Sequence, residues 1–330
     1  MELTVFTTLW MGTPVWMWLA FMGIVLALLV FDLGVLHGEH REISVRESIL
    51  LSTMYIGLGL TFGGWVWWQL GAEPGLNYLT GFVVEKTLAL DNVFVIALIF
   101  SFFAVPRKYQ HRVLFWGILG VIVLRAIMIG LGATLVAEFS WLLYVFAAFL
   151  ILTGIKMLFM GDHQPEIGNN AVVRFMRKRF NVTDRHHGEA FFVREPHPVT
   201  GKPALFITPL FMALVMVEIA DVIFAVDSVP AIFAITTDPF IVFTSNIFAI
   251  LGLRALYFAL AAMIHRFHYL KPALAVVLIF IGSKIFIADL LGLEKFPAML
   301  SLGITFTIIA AGVIWSLVMT RDKAKLEGNG

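Results

Sequence analysis

Apolar positions along this chain form long uninterrupted blocks, not the short periods of an amphipathic soluble domain. An α-helix needs about 20 apolar residues to cross a bilayer. Nine runs have that length, and we number them as spans one to nine: residues 15–36, 48–68, 79–105, 113–137, 139–159, 204–236, 240–263, 273–291 and 296–320. The pattern predicts an all-α polytopic membrane protein with about nine transmembrane helices.

Composition strengthens that prediction. Hydrophobic residues make up 60% of the chain and charged residues 14%, which is outside the range of soluble domains. Cysteine is absent, so disulfides and thiolate metal sites are excluded, and any metal would need oxygen, imidazole or thioether ligands. We expect no short cleavable signal, because the first apolar run is long enough to span and no basic segment precedes it.

Basic residues predict the orientation, since cytoplasmic loops retain Lys and Arg. They lie before span two, between spans three and four, five and six, and seven and eight, and after span nine, whereas the opposite loops contain only Lys295. We therefore predict a multi-pass protein of the inner (plasma) membrane with its N-terminus outside and its C-terminus cytoplasmic. The residues outside the longest loop are Arg41, Arg46, Arg107, Lys108, Arg112, Arg266, Lys271, Arg321, Lys323 and Lys325.

Two polar segments interrupt the apolar pattern at places where a membrane span tolerates charge least. One covers residues 85–92 in span three, and the other covers residues 218–228 in span six. Their oxygen-bearing side chains suit a hard divalent cation such as Mn²⁺, Mg²⁺ or Ca²⁺. The alternative is that they form ion pairs that only hold helices together. The candidate metal ligands are Glu85, Asp91, Asn92, Glu218, Asp221, Asp227 and Ser228.

Further charged residues inside the spans are candidates for ion pairs with these acids or for coupling ion movement to protons. Asp32, near the end of span one, either joins the site or caps the helix at the interface, and we favour the cap. Asn246 in span seven either supplies an oxygen ligand or makes an interhelical hydrogen bond, which we favour. The possible ion-pair or coupling residues are Lys86, Arg125, Lys156, Arg254, Lys284 and Asp32.

The two polar segments belong to an internal repeat of three spans each. Because each unit has an odd number of spans and a cytoplasmic loop joins the two, we predict that the second unit is inverted in the membrane. In inverted-repeat transporters, the substrate site lies near the midplane where the repeats meet. The aligned pairs are Glu85 with Asp221, Asp91 with Asp227, Arg125 with Arg254, Gly154 with Gly282, and Lys156 with Lys284.

The repeat divides the chain into five parts. The loop between the repeats contains an amphipathic segment at residues 170–180, and we expect an interfacial helix there. Short segments at residues 189–193 and 204–207 predict a small hairpin. The parts are residues 1–78 with spans one and two, 79–160 with repeat one, 161–203 with the basic loop, 204–292 with repeat two, and 293–330 with span nine and a cytoplasmic tail.

The spacing of the acids has two interpretations. At about 100° per residue, six positions on a regular helix separate Glu85 from Asp91, and Asp221 from Asp227, by about 120°. Either the acids serve two surfaces of a straight helix, or the helix is interrupted and exposed carbonyls join the ligands. We favour interruption of spans three and six, helped in span six by Pro230.

The segments Glu85–Asn92 and Glu218–Ser228 make the chain resemble the TerC family of integral membrane proteins, and within it the Alx-like branch. The resemblance runs from span one to span nine and includes the Thr-Thr-Asp-Pro loop at residues 236–239. It implies a role in metal homeostasis, chiefly manganese export, with links to tellurium resistance and to redox or alkaline stress. It also implies ion binding by Glu85, Asp91, Glu218, Asp221 and Asp227.

Taken together, these observations predict a secondary transporter that exports a divalent cation, with Mn²⁺ favoured and with proton coupling. We expect divalent ions, protons and the lipid bilayer as partners, and no enzyme activity, tightly bound cofactor or nucleic acid; protein partners stay unknown. The alternatives are a membrane redox-modulating protein and a scaffold involved in stress or tellurite resistance. The nine histidines fall in loops or at span ends, which leaves no paired axial ligands for haem.

Overall fold

A computed structural model describes residues 8–36, 44–159, 170–197, 201–261, 270–293 and 295–327. Arg41 and Arg266, two of the predicted loop residues, lie outside these ranges, and so do residues 161–169 of the long loop. The helices are α1 Val15–Leu36, α2 Val45–Leu70, α3 Ala72–Phe102, α4 Arg107–Glu138, α5 Leu142–Phe159, α6 Ala171–Arg179, α7 Pro209–Phe233, α8 Pro239–Ile250, α9 Leu253–Ala261, α10 Leu270–Leu290 and α11 Ala298–Glu327. Two antiparallel hairpins pair β1 Leu9–Trp10 with β2 Thr13–Pro14, and β3 Phe192–Pro196 with β4 Pro203–Ile207.

The multi-pass helical architecture is confirmed. Among the described residues, eight stretches are long and apolar enough to cross a membrane, and each corresponds to one predicted span. Span three is not among them, although its helix α3 has 31 residues. Glu85, Lys86 and Asp91 place charge in the middle of α3. That α3 crosses the membrane therefore stays a prediction, which rests on the length of the helix.

Helix ends follow from local chemistry. Ser44 forms a capping box at the start of α2, because its Oγ accepts from the Glu47 N–H and the Glu47 carboxylate accepts from the Ser44 N–H. Gly71 separates α2 from α3 with φ of 96°, a conformation that glycine adopts at little cost. Asp238 caps α8 by accepting from the N–H groups of Phe240 and Ile241 at 2.9 and 3.3 Å.

The expected interruption of spans three and six is wrong. Helices α3 and α7 are continuous through both polar segments. Pro230 lies in the last turn of α7, where the helix ends three residues later, at Phe233. The acids of α7 lie on two different surfaces of one continuous helix, which is the other interpretation of the six-residue spacing.

The interruption lies in span seven, which we predicted as one helix over residues 240–263. Helix α8 ends at Ile250, and α9 begins at Leu253. Gly252 lies between them with φ of 82°, and an added Cβ there would lie 2.6 Å from the Tyr55 Cβ. Glycine is therefore required at this position by both backbone conformation and space.

Helices α5 and α10 approach closely through glycines. A Cβ at Gly154 would lie 2.6 Å from the Ala275 carbonyl oxygen, and a Cβ at Gly282 would lie 2.5 Å from the Ala147 carbonyl oxygen. Small residues allow such backbone contact in membrane bundles. The two contacts are reciprocal and involve aligned positions, which supports the repeat, while its inversion stays a prediction.

Gly154→Ala and Gly282→Ala are each expected to lower the free energy of unfolding by about 1–3 kcal/mol, because the added methyl group meets main-chain atoms of the neighbouring helix. Gly303→Ala in α11 is the matched control, since the described residues leave open space there. Unfolding of the purified chain in detergent measures the difference. Equal stability of the three variants would contradict the close packing of α5 on α10.

One end of the bundle carries α6, the β3–β4 hairpin and the N-terminus of α4. Val173 and Met176 of α6 are buried in an apolar cluster with residues of α3, α4 and α7. Arg112 of α4 forms an ion pair of 3.1 Å with Glu189. The predicted amphipathic helix and hairpin are confirmed, although the first strand begins at Phe192, later than predicted.

Candidate cation site

Four helices meet around the buried guanidinium of Arg125, which is 1% exposed. Its Nη1 donates to Glu85 Oε1 of α3 and to Ser228 Oγ of α7, both at 2.7 Å. Its Nε and Nη2 donate to the two carboxylate oxygens of Asp221 at 3.4 and 3.3 Å. Asn246 of α8 accepts at 3.4 Å, as the favoured interhelical hydrogen bond predicts. We call these five residues the Arg125 cluster.

The sequence explains how these side chains converge. Asp221 and Ser228 are seven residues apart, two turns of α7, so they share one face of that helix. Glu85 and Asp221, aligned by the repeat, bind the same guanidinium from α3 and α7. Ionised, the cluster has one positive and two negative charges (1 − 2 = −1). One of the two acids therefore lacks a positive partner of its own, and its charge has to be balanced by a proton or by a further cation.

Glu218 lies next to the Arg125 cluster, one helical turn from Asp221 on α7. It precedes Asp221 by three positions and therefore lies on the same side of α7. Its Oε2 is buried and has no hydrogen-bond partner in the described part of the chain. A buried carboxylate oxygen without a partner is costly, because nothing replaces the hydrogen bonds that it makes to water. Gly120 of α4 provides the space, because a Cβ there would overlap the Glu218 carboxylate.

A small cavity beside the cluster connects the two polar segments. Asn92 of α3 and Asp221 of α7 both line it, and Arg254 of α9 lies in its wall. The other residues that line the cavity, among them Ile118, Val121 and Phe224, are apolar. The cavity thus places Asn92 beside Asp221 and therefore next to the Arg125 cluster.

Asp227 faces a different surface of α7. The Thr153 hydroxyl of α5 donates to Asp227 Oδ1 at 3.4 Å, and Lys156 of the same helix interacts with the carboxylate electrostatically. The side chain of Asp91 lies outside the described residues, although α3 continues through its backbone. Among the described side chains, no three of His, Cys, Asp and Glu are placed to hold a metal ion. That the seven predicted ligands form a single metal site stays a prediction.

Arg254, the repeat equivalent of Arg125, has a partner from outside the repeat. It forms an ion pair with Asp32 of α1, and its Nη2 also donates to the Asp32 carbonyl oxygen at 3.2 Å. Tyr55 donates its hydroxyl to Asp32 Oδ1 at 3.2 Å. The favoured interface cap for Asp32 is therefore wrong, because α1 brings the carboxylate to α9 inside the bundle.

The three lysines differ in their surroundings. Lys284 is buried and donates to Ser301 Oγ of α11 at 3.1 Å. Lys86 donates to main-chain carbonyls at the break between α8 and α9. Lys156 is exposed.

The sequence analysis missed two residues that contact these acids. Gly120 leaves the space that the Glu218 carboxylate occupies, and Thr153 donates to Asp227. Thr153 could have been noticed, because it is a polar residue one turn before Lys156 in an apolar span.

The family model of the integral membrane protein TerC family matches residues 70–324, which contain both polar segments and the whole Arg125 cluster. The chain belongs to the TerC family. The predicted resemblance is confirmed, and the polar surfaces described above are therefore features of a TerC protein.

Relatives of this TerC protein match it over nearly their whole length. An uncharacterized membrane protein of Rickettsia bellii is 46% identical over 301 residues, which cover 91% of this chain and 97% of the relative. Relatives from Photorhabdus laumondii (44% identical over 323 residues, 95% of this chain and 98% of the relative) and Escherichia coli (45% over 328 residues, 96% and 99%) carry the provisional name membrane-bound redox modulator Alx. No solved structure matches the chain.

Proposed function

We propose that this TerC protein is a secondary transporter that exports a divalent cation from the cytoplasm, with Mn²⁺ as the favoured substrate and with proton coupling. The observation that carries the proposal is the excess of buried carboxylate in the Arg125 cluster. Glu85 and Asp221 share one guanidinium. Glu218 adds a buried carboxylate oxygen that no described residue satisfies. Oxygen donors of this kind suit a hard divalent cation.

In this proposal, Arg125 and the transported cation compete for the same carboxylates. A divalent ion binds between Glu218 and Asp221, which lie one turn apart on α7. Its charge displaces the guanidinium toward Glu85, which keeps the cluster from having two uncompensated acids. When the ion leaves, Arg125 returns, and two protons, one on Glu218 and one on a carboxylate of the Arg125 cluster, replace the two charges of the cation.

A second candidate, redox modulation, is favoured by the provisional names of the Alx relatives. The composition argues against redox modulation, because a chain without cysteine has no thiol or disulfide that could be oxidised or reduced. Visible absorbance by a cofactor that copurifies with the chain would favour redox modulation over transport.

Asp91→Asn and Asp227→Asn are each expected to abolish protection of cells against excess manganese, because each change removes one carboxylate charge while keeping the size of the side chain. Growth in rising Mn²⁺ is the measurement, with membrane levels of each variant matched to the wild type. Protection equal to that of the wild type by either variant would show that the carboxylate of that residue is not needed for the proposed transport.

Gly120→Ala is expected to lower Mn²⁺ transport several-fold, because the added methyl group takes the space that the Glu218 carboxylate occupies. Little loss of stability should accompany it, since the atoms displaced are the end of a flexible side chain. Gly130→Ala, on the same helix, is the matched control, with no described atom near the added methyl group. Equal transport by the two variants would show that the position of Glu218 does not matter.

A further inference from the structure

The break between α8 and α9 exposes main-chain oxygens inside the bundle. The last carbonyls of a helix lack intrahelical partners, and α8 is almost completely buried, so water does not supply them. Gly252, held in its positive-φ conformation against Tyr55, fixes the path of the chain through the break. The carbonyl oxygens of Ala249 and Leu251 are thereby presented toward α3.

Lys86 of α3 satisfies these oxygens. Its Nζ donates to the Ala249 carbonyl at 3.0 Å and to the Leu251 carbonyl at 3.3 Å. No carboxylate forms an ion pair with it in the described part of the chain. The ammonium group also lies at the C-terminal end of α8, where the helix dipole is negative and favours a cation.

Consecutive positions on α3 serve two separate sites. Side chains of neighbouring residues on a helix point about 100° apart. Glu85 accordingly reaches Arg125, whereas Lys86 reaches the break. The break differs from the Arg125 cluster in its ligands, which are neutral main-chain oxygens, and in the helices that supply them.

Such a set of ligands is suited to a monovalent cation. Carbonyls at the C-terminal ends of interrupted helices coordinate Na⁺ in membrane transporters, and an ammonium group has the charge of an alkali ion and donates toward the same oxygens. We propose that the α8–α9 break is a monovalent-cation site, which this chain fills with the ammonium group of its own Lys86. The proposal goes beyond divalent-cation transport and does not depend on it.

Lys86→Ala is expected to make the stability of the chain depend on small cations. The full-length protein in detergent is heated in Na⁺, K⁺ or methylammonium, with N-methylglucamine replacing them at constant ionic strength. The unfolding midpoint of Lys86→Ala should rise by about 2–5 °C once the small cation exceeds its dissociation constant about tenfold. The wild type and Lys86→Met should show no such rise, because their side chains fill the site. Lys178→Ala, which removes an exposed lysine of α6 outside both polar segments, is the matched control.

A midpoint of Lys86→Ala that is the same in every cation would overturn the proposal, as would an equal rise for Lys86→Met or Lys178→Ala. Lys86→Cys gives a second test, because the chain has no other cysteine. Labelling with an aminoethyl thiosulfonate restores a positive charge and should remove the cation dependence, whereas a methyl label should not. Failure to recover either variant in any buffer also counts against the site, since the added cation should replace the amine.

Discussion

Replacing Arg125 by methionine is expected to lower the free energy of unfolding by about 3–5 kcal/mol. The change leaves the carboxylates of Glu85 and Asp221 buried without a positive partner, and Ser228 Oγ loses its donor. Methionine fills most of the volume, so the loss reports on charge more than on packing. Unfolding of the purified full-length chain in detergent measures it.

Neutralising the acids should reverse most of that loss. The triple variant Arg125→Met, Glu85→Gln, Asp221→Asn removes all three charges and is expected to be more stable than Arg125→Met alone. Arg177→Met breaks an exposed ion pair with Asp184 and serves as control, with an expected change below about 1 kcal/mol. If Arg125→Met were as stable as this control, the buried cluster would not exist as described.

Glu218→Gln is expected to reduce Mn²⁺ flux by about 10- to 100-fold, the scale of losing one charged contributor to a metal site. Its stability should equal or exceed that of the wild type, because the Glu218 Oε2 has no hydrogen bond in the described structure to lose and the change removes a buried charge. Flux into proteoliposomes and unfolding in detergent, measured on the same preparation, separate the two effects.

Glu138→Gln is the matched control, since this exposed carboxylate at the end of α4 lies outside the polar segments. A structural role for Glu218 would give the opposite pair of results, with normal flux or with a loss of stability like that of Arg125→Met. Either result would remove Glu218 from the transport site.

The helices were predictable because run length and amphipathic pattern are local properties. The apolar blocks located the eight confirmed candidate spans, and the pattern of residues 170–180 located α6. The break in span seven was not predictable in this way. Leu251 and Gly252 lie in an apolar run, and glycine is common in unbroken membrane helices. Only the contact with Tyr55 shows why the chain turns there.

The site was predictable in its residue types but not in its partners. The repeat indicated that Glu85 and Asp221 lie near each other. The six-residue spacing allowed either two surfaces or an interrupted helix, and the favoured interruption was wrong. The choice of partner depends on tertiary packing. Arg125 binds two acids of the repeat, whereas its equivalent Arg254 binds Asp32 of α1, which no repeat alignment contains.

The central claim is that buried carboxylates carry a divalent cation across the membrane in exchange for protons. Its most direct test is flux of Mn²⁺, Mg²⁺ and Ca²⁺ in proteoliposomes containing the wild-type chain, with and without a pH gradient. The account predicts Mn²⁺ flux that a pH gradient accelerates and that Glu218→Gln reduces. Flux of all three ions equal to that of protein-free vesicles, under either condition, would contradict it.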